Sequence, residues 1–231
     1  MANSGRRFSH RFDCDILKKI LLVGVPGGIE NGLFQVGKIA ILSLIATFGT
    51  TAIAANAVTQ NLAGIQMIPG SAIQLAVVTI IARCVGAKEY EQAKYFNKKL
   101  ILFAHAAVAA VSVILWLSLP LVLPLYHLSG ASTALAVRMF GWHTAGALLL
   151  WPSSFILAAS LRASGDVAFP MLWSVVSMWV FRFGGAWLFA VGFGTGAVGA
   201  WIAMSMLDWG FRTILYWRRW SRGAWREKGL A

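Results

Sequence analysis

The stretch GVPGGIENGLFQVGKIAILSL, Gly24 to Leu44, is apolar apart from its amides, a carboxylate at Glu30 and an amine at Lys38. Burying an unpaired charge is costly, so a chain that keeps two of them in such a run has a use for them. On a helix, Gly24, Gly28 and Gly32 recur every fourth residue and make a small-residue stripe that lets a neighbouring helix approach closely. Glu30 is offset from Gly28 and Gly32 by about 200° around the axis, which points it away from that packed face. Gly27, Phe34, Gly37 and Ile41 lie near Glu30's own side, and the two glycines leave that side open. The expectation is one face sealed against a helix and another presenting a carboxylate to a cavity, with Pro26 removing a backbone hydrogen bond nearby.

Lys38 is a poor partner for Glu30, being about 12 Å further along the same axis. Asp208 and Arg212 stand at i,i+4 late in the chain and can pair with each other. Glu30 is then left without an obvious partner in sequence, although one on another helix stays open. A buried ion pair is the structural reading; a carboxylate on an ion pathway is the favoured one. A second polar row comprises Asn56, Gln60, Asn61, Gln66 and Met67, of which Asn56, Gln60 and Met67 share one helical face with Ala63. It serves equally as hydrogen-bonding glue between helices or as an adaptable cavity wall of amides and a thioether.

No nucleophile–base pair, phosphate loop or metal-ligand spacing accompanies these residues, so neither an enzyme nor a metal or organic cofactor is expected. GTGAVG, Gly194 to Gly199, matches the dinucleotide fingerprint in form but lies between two apolar spans with no preceding strand, and reads as an outer turn. Cys14 and Cys84, far apart, indicate no disulfide framework.

The elements that position these groups are membrane spans. The chain is 58% hydrophobic and only 12% charged, against about 25% charged in ordinary soluble domains. Its net charge of +12 sits in loops between apolar runs, which argues for membrane topology and against nucleic-acid binding. Six spans are expected, at about Ile16–Phe48, Thr51–Val85, Tyr95–Leu123, Thr133–Leu161, Ala168–Val191 and Gly196–Tyr216. Residues 1–15 read as a cytoplasmic tail or linker, 16–217 as the transmembrane lobe and 218–231 as a basic tail. The second span exceeds one straight crossing and is expected to kink at Pro69-Gly70, while the fourth contains Pro152. Lys and Arg alternate between rich and poor loops along the chain, which places both termini in the cytoplasm.

GVPGGIENGLFQVGK, then AANAVTQNLAGIQMIPG and CVGAKEYEQAKYF, then LRASGDVAFPMLWSVVSMWVFRF and GAWIAMSMLDWGFR, together resemble the multidrug and toxic compound extrusion (MATE) family. The match is to the part of those transporters after their mid-chain linker, over about Phe12 to Arg219. The resemblance implies an all-α integral membrane fold: a six-helix bundle equivalent to the C-terminal lobe of a twelve-helix transporter. It implies exchange of a proton or sodium ion for organic, often cationic, drugs, with Glu30 as the cation-coupling residue. Phe34, Asn56, Gln60, Met67 and Asp208 are the substrate-cavity candidates. Where sodium-coupled relatives carry an acid in the tenth helix, Trp151 and Pro152 stand here, which weighs against that form of coupling. The implied setting is the cell inner membrane, and the implied partners are drug substrates, the bilayer and a second six-helix lobe from this or another chain. Half the family's length points to a truncated or split product or a self-pairing half. The rival readings are a non-transporting membrane or assembly subunit and a flippase of lipid-linked sugars.

Overall fold

A computed structural model describes the backbone of residues 14–226 and the side chains of residues 28, 29 and 31–226. Among the described residues every regular element is helical. Helix α1 (Cys14–Ala46) turns through Gly49, whose φ of 91° suits a residue without a Cβ, into α2 (Thr50–Gly86). α2 continues through Pro69 as one element. α3 (Tyr90–Val122) passes into a 3₁₀ turn, Leu123–Tyr126. Ser129 caps α4 (Gly130–Leu149), its hydroxyl accepting from the Ser132 N–H at 3.2 Å.

α4 and α5 (Trp151–Ala163) form one apolar span bent by 50°. Proline explains the break. Pro152 has no N–H to return to the Leu148 carbonyl four residues back. His105 on α3 fills that vacancy, donating from Nδ1 to the Leu148 oxygen at 2.8 Å. The Leu150 oxygen accepts from the Ser154 N–H at 2.9 Å and from Thr213 at 3.2 Å, so neighbouring helices reach carbonyls on both sides of the bend.

The next rod starts as α6 (Ala168–Ser177), widens to a π-helix over Met178–Gly184, tightens for one turn as α7 (Gly185–Trp187) and widens again over Leu188–Gly192. Gly194 and Gly196, with φ of 65° and 61°, make the turn that the GTGAVG stretch occupies. The last rod runs from α8 (Ala197–Ile202) through a π-helical stretch, Ala203–Asp208, into α9 (Trp209–Ser221). α2, the α3 rod (Tyr90–Tyr126) and the Ala168–Gly192 rod are each long and apolar enough to cross a membrane. With the bent α4–α5 span, they make this a multi-pass membrane protein.

α2 is the hub, packing on α3, α4 and α5, while α5 lies on α9 and the π-helical stretches of the last two rods face each other. Lipid tails are as apolar as leucine, so close approach and hydrogen bonds hold such helices together rather than burial from water. Small residues supply the approach: Ala52, Ala55 and Ala63 cluster with Ala136, Ala186, Ala200 and Ala203. Amides supply the bonds. Gln66 donates to Ser112 at 2.6 Å and Thr144 at 3.2 Å, tying α2 to α3 and α4.

The glycine face of α1 differs from the expectation. Gly28 and Gly32 are exposed, and a Cβ added at either would meet nothing within 4 Å. The packed side is the one that carries Gly37 and Ile41: Gly37 is buried, its missing Cβ position taken by the Met178 side chain, and Ile41 is 9% exposed. The turns of α1 from Phe34 to Ile45 therefore address the bundle along Glu30's side rather than along the stripe. The surroundings of Gly24 and Gly27, the side chains of Pro26 and Glu30, and all of residues 1–13 and 227–231 lie outside what the structure describes.

Candidate functional site

α1, α2 and the last two rods line an open-sided cavity of about 480 Å³. Its polar lining is Gln35 and Lys38 from α1, Asn56 and Gln60 from α2, and Arg182 from the π-helical stretch Met178–Gly184. Ile39, Ile41, Leu42 and Ile45 make the apolar wall of α1, and Ala200, Trp201 and Met204 close the opposite side. Asn56 faces inward because α2 buries its alanine side, and its carboxamide is held in place: Trp201 Nε1 donates to Asn56 Oδ1 at 3.1 Å.

Behind the wall lies a charged group. Asp208, fully buried, has Oδ2 3.8 Å from Arg182 Nη1, while Ser177 Oγ donates to Oδ1 at 2.5 Å. Arg182 Nη2 donates to Met204 Sδ at 2.7 Å. Arg182, Met204 and Asp208 all sit on π-helical turns, which rotate side chains out of α register and recur at functional sites. The expected i,i+4 pair of Asp208 with Arg212 does not form. The wide turn directs Asp208 across to the neighbouring rod. Arg212, 3% exposed, lies instead among aromatic rings, its guanidinium carbon 4.6 Å from the Phe155 centroid and 5.8 Å from those of Phe34 and Tyr216. Its Nε and Nη1 find no hydrogen-bond partner among the described residues.

Of the residues singled out from sequence, Asn56 and Gln60 line the cavity. Phe34 packs near Arg212, Met67 packs against the cluster of Val108, Ala147, Trp151 and Trp209, and Asp208 stands behind Arg182. Glu30, whose side chain is not among the described ones, is placed only by the backbone of α1. Sequence reasoning did not bring Lys38, Arg182 and Trp201 to one cavity. The available signal was two basic residues deep in spans with no acid at helical spacing.

An α-helical bundle with one bent span and a largely apolar cavity lined from four of its rods defines a multi-pass membrane protein. The MatE family model matches residues 26–188, and the chain belongs to the MATE family. It is 30% identical over 218 residues to the uncharacterized transporter YisQ of Bacillus subtilis, covering 93% of this chain and 47% of that protein. It is 24% identical to the probable multidrug resistance protein NorM of Thermotoga maritima, covering 92% of this chain and 46% of that one. The fold matches an outward-facing multidrug resistance MATE family transporter with a TM-score of 0.82, at 19% identity, over 97% of this chain and 50% of the other. An inward-facing one matches with a TM-score of 0.80 at 18% identity, over 95% and 51%. The chain thus spans about half the length of the curated relatives and structures it matches.

Proposed function

We propose that the chain is one six-helix lobe of a cation-coupled exporter of organic, drug-like molecules, with Glu30 as the group that takes up the coupling proton or sodium ion. The lobe sits in the bacterial cell membrane with both termini in the cytoplasm, and a second lobe, from this or another chain, completes the path. The observation that carries this is the family match over residues 26–188, joined to a cavity of small-molecule size with amide, indole and aliphatic walls.

The register of α1 supports the role of Glu30. Phe34, one turn further on, has its ring against Arg212, a buried cation with no acid within ion-pair distance among the described residues. Glu30 is the acid on α1 one turn from that contact. A cation bound at Glu30 neutralises a carboxylate carried by α1, and the conformation that better accommodates the neutral form is then favoured. A ligand shifts a conformational equilibrium only through such differential interactions.

The test is drug-stimulated proton and sodium flux in vesicles, with the chain reconstituted alone and with a complementary lobe, native against Glu30→Gln. Flux in the native chain that disappears in the Gln variant is the expected result. Unchanged flux in the variant removes the coupling role of Glu30. Absence of flux in both formats removes the transport reading and leaves a non-transporting subunit.

A further inference from the structure

The family resemblance implies a cargo that is often cationic, and the cavity lining points the other way; the inference rests on reading the chain as a transport lobe. Two cations, Lys38 and Arg182, face the cavity, and no carboxylate among the described residues lines it. They are not equivalent. Arg182 is partly neutralised by Asp208 behind the wall. Lys38 is exposed on the cavity side of α1 and has no acid within ion-pair distance among the described residues.

The neutral groups lean the same way. An amide can present either an acceptor or a donor, but Asn56 has its oxygen engaged by the Trp201 indole N–H, so its amide nitrogen is the group left to donate. Gln35 and Gln60 can turn their NH₂ groups to whatever enters. A cationic cargo would meet like charge and no acceptor of full charge. An anionic one meets an ammonium, a guanidinium and an oriented amide, the donors that make charge-assisted hydrogen bonds strongest. The aliphatic strip of Ile39, Leu42 and Ile45 suits an apolar body beside that head.

We propose that this cavity receives the anionic head of an amphiphilic organic molecule (a carboxylate, sulfonate or phosphate), with Lys38 as its charge partner and Asn56 as its oriented neutral donor. The charge of the head decides affinity more than the shape of the body. A soluble amphiphile and an acidic lipid share this chemistry.

The experiment is dye binding by fluorescence anisotropy to the full chain in nanodiscs of zwitterionic lipid, with empty nanodiscs subtracted. Fluorescein and rhodamine 6G share a xanthene body and carry opposite charge. Fluorescein is expected to bind at least about tenfold more tightly, with Lys38→Gln removing most of that preference and Lys38→Arg retaining it. Lys38→Glu is expected to reverse the preference, a gain that misfolding cannot mimic. Displacement of fluorescein when phosphatidylglycerol is added to the disc assigns the head to a lipid, and no displacement assigns it to a soluble molecule; both retain the anionic site. Tighter binding of rhodamine 6G, or a ratio that Lys38→Glu leaves unchanged, overturns the inference while the transport reading, judged by flux, stands. No binding of either dye overturns the cavity assignment as well.

Discussion

Asp208 offers the sharpest test of the geometry, because sequence spacing and structure give it different partners. At 3.8 Å from Arg182, two unit charges attract by about 4 kcal/mol at the effective dielectric of roughly 20 that suits protein sites. Desolvation offsets much of this, since Asp208 is fully buried and the Arg182 side chain is 11% exposed. The net value of the pair is therefore small, but the cost of removing one partner is not. Asp208→Asn is expected to destabilise the lobe by about 3–5 kcal/mol, because the Arg182 charge is left uncompensated and Ser177 loses its charged acceptor. Arg182→Gln is expected to cost a similar amount for the mirror reason. The double variant Asp208→Asn/Arg182→Gln should then cost less than the two single variants together, with a coupling of about 1–3 kcal/mol. The assay is unfolding by SDS titration in mixed micelles, followed by far-ultraviolet circular dichroism. The parallel cycle with Arg212→Met supplies the control, and its coupling to Asp208 is expected to be smaller. A larger coupling to Arg212 than to Arg182, or additive costs for Asp208 and Arg182, would show that the π-helical turns do not direct the carboxylate across to the neighbouring rod.

Two further outcomes follow from the packing. A Cβ at Gly146 would lie 2.6 Å from Ser205 Cβ and 2.7 Å from the Ser205 carbonyl oxygen, so Gly146→Ala is expected to cost about 1–3 kcal/mol in the same SDS titration, whereas Gly32→Ala, which meets nothing within 4 Å, should be neutral or slightly stabilising. Equal costs at the two sites would refute the assigned faces of α1 and α4. His105→Phe leaves the Leu148 carbonyl without its donor at the proline bend and is expected to cost about 1–3 kcal/mol, read as a lowered midpoint of thermal unfolding monitored by tryptophan fluorescence.

The fold class was legible for physical reasons. A helix needs about 20 apolar residues to cross a bilayer, and only closed backbone hydrogen bonding is tolerated there. Long apolar runs separated by basic loops therefore specify a helical membrane bundle almost by themselves. The GTGAVG turn was legible from its context between two spans, and the structure shows glycines of positive φ there. Part of the cavity was legible as well: amides on one helical face of α2 have either a neighbour or a void to address, and Asn56 and Gln60 address a void. Gln66, in the same row, takes the other course and binds Ser112 and Thr144.

What stayed hidden was direction, and the bilayer is the cause. In a soluble helix the apolar stripe faces the core, so periodicity reports orientation. In lipid both sides of the helix are apolar, and a leucine facing tails looks like a leucine facing a neighbour. The remaining clue is where small residues fall, and α1 carries glycines on two sides. Gly28 and Gly32 form the regular stripe and face open space, while Gly37 alone admits Met178. The stripe marks a surface able to pack closely; it does not require that this lobe do the packing. The same ambiguity hid the ion pair. Spacing of i,i+4 brings Asp208 and Arg212 together only on a regular α-helix, and the turn that begins at Ala203 is wider than that. One extra residue in a turn rotates Asp208 toward the Ala168–Gly192 rod and leaves Arg212 to the aromatic rings of Phe34, Phe155 and Tyr216. A local change of helical pitch, with no mark in the hydrophobic pattern, thus decides which acid each base can meet.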